Sequence, residues 1–281
     1  MEDNRPSTTA MRVAFGRAAH RLLDVPLVFD DPLALRILGP DVEETIANDV
    51  ATFQSPPLRA LRAFLVARSR YSEDAAEATF ARGVRQCVVL GAGLDTFAYR
   101  HEHSSVFIFE VDHPATQSWK RDRLADAGIE VPPHVIFAPV DFERQTLAEG
   151  LRAAGFDSEA PAFFSWLGVT PYLTRSAVIS TLQFIRNRPR GSEIVFDFAP
   201  LPELLTGEGK QWFETFSARV AAMGEPWVTF FEPSDLANEL CEMGFADATP
   251  FAPDDINALY FDGRKDNLRT GALGHLMHAR V

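Results

Sequence analysis

Residues 86–112 constrain this chain more than any other stretch of its 281 residues. Cys87-Val88-Val89-Leu90 is a short apolar run rich in β-branched residues. That pattern predicts a strand buried on both faces of a parallel sheet. The run stops at Gly91-Ala92-Gly93, where glycine permits positive φ and lets a ligand approach bare backbone. A second apolar run, Val106-Phe107-Ile108-Phe109, ends in Glu110-Val111-Asp112, and Asp112 follows Gly93 by 19 positions. A glycine turn after one strand and a carboxylate at the end of the next is the layout of a nucleotide-type site, with the carboxylate accepting from ribose hydroxyls. The third glycine of the dinucleotide fingerprint is missing, since Phe97 and Ala98 stand near its place. The spacing therefore speaks against a nicotinamide-dependent oxidoreductase and for a smaller adenosyl ligand without a pyrophosphate. Gly-X-Gly by itself is also ordinary turn punctuation.

Further residues narrow the choice. Ala67-Arg68-Ser69-Arg70-Tyr71, Val89-Leu90-Gly91-Ala92-Gly93-Leu94-Asp95-Thr96, Tyr99-Arg100 and Phe109-Glu110-Val111-Asp112-His113-Pro114 together resemble the leucine carboxyl methyltransferase family, which includes polyketide O-methyltransferase relatives. The resemblance runs from about Asp30 to the C-terminus. It implies a class I methyltransferase that uses S-adenosyl-L-methionine. It also implies transfer of a methyl group to a carboxylate or hydroxyl of a small molecule, secondary metabolites included. A non-catalytic protein of the same fold, binding or sensing the cofactor, is the alternative.

The resemblance assigns candidate cofactor contacts. Arg68 takes the cofactor carboxylate, with Arg70 in reserve; the bland alternative is a solvated helix face pairing with Glu73 or Asp74. Gly91, Ala92 and Gly93 form the loop, and Asp112 holds the ribose. After a third apolar run, His134 to Val140, Asp141 is placed to accept from the adenine amino group while Phe142 packs on the ring. Phe142 stands where the family has a leucine-type residue, and Asp141 can equally cap a helix. Many relatives carry a glutamate just after the fourth strand, where this chain has Leu167. That departure removes an expected polar contact. Tyr172, five residues on, reads either as a substrate-facing phenol or as a packing residue ahead of a helix capped by Thr174. No general base stands out.

Strands at about 86–90, 106–112, 134–140, 161–166, 192–198, 245–251 and 274–280 alternate with helical stretches. This predicts a Rossmann-like, doubly wound α/β sheet of seven strands. Helices at 9–23, 32–38, 41–50 and 57–82 precede the first strand. The expected division is an N-terminal helical cap over 1–82 and a cofactor-binding core over 83–281, integrated as one domain. Asp31 before Pro32 reads as an N-cap, and Asp95 and Thr96 as caps of a helix that points its positive end at the ligand. Lys120, Arg121 and Arg123 read as a solvated basic face, and His101 and His103 as loop histidines without metal-ligand spacing. Residues 203–223 are a lid candidate, though core packing suits most of their apolar positions better.

The net charge of −12, with no offsetting basic cluster, argues against a nucleic-acid partner. Two cysteines, Cys87 and Cys241, read as buried thiols in a reducing cytosol and not as a disulfide or metal site. The polar first ten residues carry no apolar signal segment, and no run reaches membrane-spanning length, so a cytoplasmic location is expected.

Overall fold

The computed structural model describes residues 8–101, 104–142, 144–222 and 224–281. Most of the polar N-terminal lead and His103 lie outside the described residues. Five helices come first: α1 (Thr8–Leu23), α2 (Ala34–Leu38), α3 (Val42–Asn48), α4 (Val50–Phe53) and α5 (Pro56–Ala81). There follow β1 (Gln86–Leu90), α6 (Phe97–Arg100), β2 (Phe107–Asp112), α7 (Pro114–Asp126), β3 (Val135–Pro139), α8 (Leu147–Ala153), β4 (Phe163–Trp166), α9 (Arg175–Arg186) and β5 (Glu193–Phe198). The chain closes with α10 (Gly207–Ala221), α11 (Pro233–Met243), β6 (Asp247–Phe251), α12 (Pro253–Tyr260) and β7 (His275–Arg280).

The strands form one seven-stranded sheet in the order β3-β2-β1-β4-β5-β7-β6. β1 to β5 run parallel; β7 is antiparallel to both β5 and β6. The order reverses between β1 and β4, and a doubly wound sheet opens its ligand crevice at such a switch point. Alternation along β1 decides the two layers. Val88 and Leu90 join the core formed with Leu151 of α8, Leu182 of α9 and Leu240 of α11. Cys87 and Val89 face the other way, onto Ala76 and Phe80 of α5 and Phe97 and Ala98 of α6. All five residues of β1 are buried, as a central parallel strand requires.

α5 spans 26 residues and lies along β4 and β5, bringing Arg68 to the carboxyl ends of the strands. Ahead of it, α1, α2 and α3 share an apolar core with Leu94 of the glycine loop and Leu124 of α7.

The structure corrects several local expectations. Lys120 is not on a solvated face: it is 1% exposed, while Arg121 is exposed and Arg123 half-buried. His101 is buried and its Nδ1 lies 3.1 Å from Glu77. The helix after the glycine loop, α6, is only four residues long, too short for a substantial dipole. Asp95 does accept the Phe97 N–H at 2.8 Å, but the Thr96 hydroxyl donates to Asp31 instead of capping. α11 is capped by Glu232, which accepts from the Asp235 N–H, and its Cys241 is exposed, whereas Cys87 is buried as expected. Along α10 only Val220 is buried, so core packing does not account for Trp212, Phe213 and Phe216. On this 15-residue helix the half-buried rings of Phe213 and Phe216 pack against Trp227, and Phe213 also against Phe230.

Candidate functional site

The glycine loop leaves β1 with its amides already committed. Gly91 and Ala92 both donate to the Val111 carbonyl, at 2.8 and 3.1 Å. Gly93 donates to an Asp112 carboxylate oxygen at 2.6 Å, and the second oxygen accepts from the His113 N–H at 2.7 Å. Asp112 thus stands at the end of β2 with the loop wrapped against it. Burial pushes its carboxyl above the usual carboxylate range, against the pull of the two amides and of Lys120.

Both glycines are required here. Gly91 has φ +67°, and a Cβ on it would lie 2.4 Å from Cγ2 of Val169. Gly93 has φ +41°, and its Cβ would lie 2.9 Å from that of Ala10. The first turn of α1 therefore rests on the loop, and the segment after β4 closes the other side.

A buried ionic network fastens α1 there. Arg17 donates to the Leu94 carbonyl at 2.6 Å and to Asp31 at 3.0 Å. Asp31 also accepts from Thr96 at 2.7 Å and lies 3.3 Å from Arg100, which in turn pairs with Glu73. Asp31 accepts the Leu33 N–H at 3.1 Å, but α2 starts only at Ala34, so its principal work is to join the cap to the loop. Arg17 was legible in one respect. It occupies the same face of α1 as Ala14 and Ala18, where an apolar residue is expected.

Arg68 is buried at the ends of β4 and β5. Its Nη1 donates to Asp197, whose other oxygen accepts the Gly168 N–H at 2.6 Å. The Arg68 Nε–H is buried without a hydrogen-bond partner. Arg70, the reserve, pairs with Asp74 on the exposed face of α5 and points away from the site. Asp197 was missed by the sequence reading, because a lone acid at a strand end carries no motif. Leu167 is half-buried and joins the apolar clusters beside α5.

Asp141 and Phe142 follow β3, adjacent to Asp112, since Val140 donates to the Asp112 carbonyl at 2.9 Å. Asp141 is half-buried, with Arg144 3.3 Å away, and Phe142 is 61% exposed. Tyr172 lies in a short turn after β4, against Thr9 of α1 and Trp227. Burial raises its phenol above the usual tyrosine range, against the pull of the Trp227 and Thr9 side chains. Val228 donates to the Pro171 carbonyl at 2.7 Å, which ties the stretch after α10 to this turn. Thr9 donates to Glu225 from the same stretch. The glycine loop, Arg68, Asp112, Asp141 and Tyr172 therefore share the carboxyl edge of the sheet, and two chain segments reach over it. Among the described residues no group of His, Cys, Asp and Glu is placed to hold a metal ion.

Comparison with known proteins identifies the family and the fold. The pattern of the leucine carboxyl methyltransferase family matches residues 10–186. A Bacillus subtilis (strain 168) protein carrying the provisional name S-adenosyl-L-methionine-dependent methyltransferase YktD is 35% identical, over 99% of each chain. A Mycobacteroides abscessus protein with a similar provisional name is 32% identical over 69% of this chain and 65% of its own length. Among solved structures, a DUF574 family protein from Streptomyces avermitilis superposes with a TM-score of 0.61, covering 99% of this chain and 98% of its own at 16% identity. At that identity the likeness establishes the fold alone.

Proposed function

The chain belongs to the leucine carboxyl methyltransferase family, a family of S-adenosyl-L-methionine-dependent methyltransferases, and from that membership we propose that it methylates a carboxylate or hydroxyl oxygen of a small molecule. The residues present fit the cofactor. The observation that carries the assignment is the unpartnered buried Arg68 Nε–H at the same strand edge as the Asp112 carboxylate. A guanidinium with a free donor suits a carboxylate, and an ionised carboxylate at the end of β2 suits vicinal hydroxyls.

In this reading Arg68 holds the amino-acid carboxylate, and Gly91, Ala92 and Gly93 form the tight turn that sets the Asp112 carboxylate beside the ligand. Asp112 takes the ribose. Asp141 and Phe142 take the adenine edge and face. When bound, S-adenosyl-L-methionine supplies an electrophilic methyl carbon on a sulfonium. The chain's own task is then alignment, which is worth up to roughly 7–11 kcal/mol in well-oriented reactions. Tyr172 donates a hydrogen bond that orients the acceptor oxygen, and α1 with the 224–231 stretch excludes water from above. The 1–82 segment serves as the cap in this scheme. A carboxylate acceptor is already ionised near neutral pH and needs no base.

The test is release of S-adenosylhomocysteine when the protein and S-adenosyl-L-methionine meet a library of carboxylic acids, alcohols, phenols, amines and thiols. Turnover confined to nitrogen or thiol acceptors would overturn the O-methylation reading. Two variants probe the site. Arg68→Ala is expected to weaken S-adenosylhomocysteine by about 10- to 100-fold, the value of one or two charge-assisted hydrogen bonds, and to leave adenosine binding unchanged. Tyr172→Phe is expected to keep cofactor affinity and lower kcat/KM for the acceptor by about tenfold, measured by initial rates.

A further inference from the structure

We propose that Lys120 is a positioning residue for cofactor recognition: its ammonium, buried beneath the glycine loop between Glu110 and the Ala92 carbonyl, sets the loop and the Asp112 carboxylate in the geometry that receives the ribose. This rests on the reading of Asp112 as the ribose acceptor.

The inner face of α7 is polar where a helix ordinarily buries apolar side chains. Gln117 and Lys120, one turn apart, are 5% and 1% exposed. Both reach the same residue: Gln117 donates to the Glu110 carbonyl at 2.9 Å, and the Lys120 ammonium donates to a Glu110 carboxylate oxygen at 2.8 Å. Tyr99 donates to the other Glu110 oxygen at 2.8 Å, and the ammonium lies 5.3 Å from the Tyr99 ring centre. Glu110 is therefore satisfied without further help from the loop. The ammonium makes a second, longer contact, donating to the Ala92 carbonyl 3.4 Å away.

That carbonyl belongs to the residue between the two glycines whose φ values are positive. It also closes the turn by accepting the Asp95 N–H at 2.7 Å. The next amide in the chain, Gly93, is the one that grips Asp112 at 2.6 Å. The lysine thus anchors the loop one residue before the contact that orients the carboxylate. It also favours the ionised carboxylate electrostatically, opposing the effect of burial on Asp112.

A buried ion pair is a poor way to stabilise a core, since two packed apolar side chains do as well or better. Its use under a ligand loop is better explained by orientation.

The test is a ligand cycle. Calorimetry compares S-adenosylhomocysteine with its 2′-deoxyribose analogue on the wild type, on Lys120→Met and on the double variant Glu110→Gln/Lys120→Met. The double variant removes both buried charges and supplies the measurement if Lys120→Met alone fails to fold. The wild type is expected to prefer the ribose form by about tenfold or more, the value of a hydrogen bond to a charged acceptor. The variants are expected to bind S-adenosylhomocysteine about tenfold more weakly and to discriminate between the ligands by less than about threefold. A variant that binds both ligands weakly but keeps the wild-type ratio would show a structural ion pair only, and would overturn the proposal. Equal binding of both ligands by the wild type would overturn the Asp112 reading, and this proposal with it.

Discussion

Asp112→Ala is expected to abolish the binding of S-adenosylhomocysteine, read by calorimetric titration beside the wild type. The expected loss is about 100-fold or more, because the proposed ribose contact, two charge-assisted hydrogen bonds, disappears as a whole. The Gly93 and His113 amides also lose their acceptor, which loosens the loop itself. Asp112→Asn separates the two effects: it keeps an acceptor oxygen for Gly93 and loses the charge, so it is expected to fall between wild type and alanine. A pH series adds a second check. Burial raises the Asp112 carboxyl, so the ionised acceptor is lost at a higher pH than for an ordinary aspartate as solution is acidified. Cofactor affinity is therefore expected to decline on the acid side, beginning above the usual carboxylate range. Undiminished binding to the alanine variant would place the ribose elsewhere.

Arg62→Ala has the largest expected effect on stability, about 3–5 kcal/mol, with a melting temperature roughly 10 °C lower by calorimetry. Arg62 and Asp24 are 2% and 3% exposed and pair through two hydrogen bonds, at 2.7 and 2.9 Å. His20 lies 2.8 Å from the same carboxylate, and its other ring nitrogen accepts the Val28 N–H at 3.0 Å. Arg62 also donates to the Phe53 carbonyl. One guanidinium therefore joins α5, the residue before α5's entry turn and the end of α1. Removing it strands a buried carboxylate. Burial pushes Asp24 upward, but hydrogen bonds from His20 and Arg62 prevail and hold it down to about 2, from an ordinary 3.8. A carboxyl lowered in the folded state stabilises above its unfolded value and loses that contribution as the pH falls through its folded value. The Asp24 contribution is thus present above about pH 4 and fades between about 4 and 2. Arg62→Ala is expected to flatten the acid limb of stability in that window. A variant as stable as wild type would assign the network no net role.

Much of the molecule was legible from local patterns. β1, with its β-branched run ending in glycine, could be placed because period and punctuation act within a few residues. The long helix after Ser55-Pro56-Pro57 was recognised by the same means, and it ends at Ala81, one residue from the expected boundary. Thr174 does cap its helix, accepting the Ala177 N–H. What escaped were side chains whose role depends on a partner far along the chain. Lys120 looks like part of a basic surface until β2 supplies Glu110. His101 looks unpartnered until α5 supplies Glu77. Asp31 looks like a helix cap until Arg17 and Thr96 converge on it. Asp197 has no sequence context at all, yet it holds both Arg68 and the Gly168 amide.

The sequence by itself therefore determined the class of fold, the glycine loop, the carboxylate at the end of the second strand and the family. These rest on periodicity and on residues close together in the chain, where backbone sterics and strand geometry leave few choices. Tertiary structure alone decided which charges are buried and which face solvent. A lysine or an aspartate has the same chemistry in either setting, and burying it is tolerable only when a partner of opposite charge arrives. That partner comes here from another element, 10 residues away for Lys120 and Glu110 and 129 for Arg68 and Asp197.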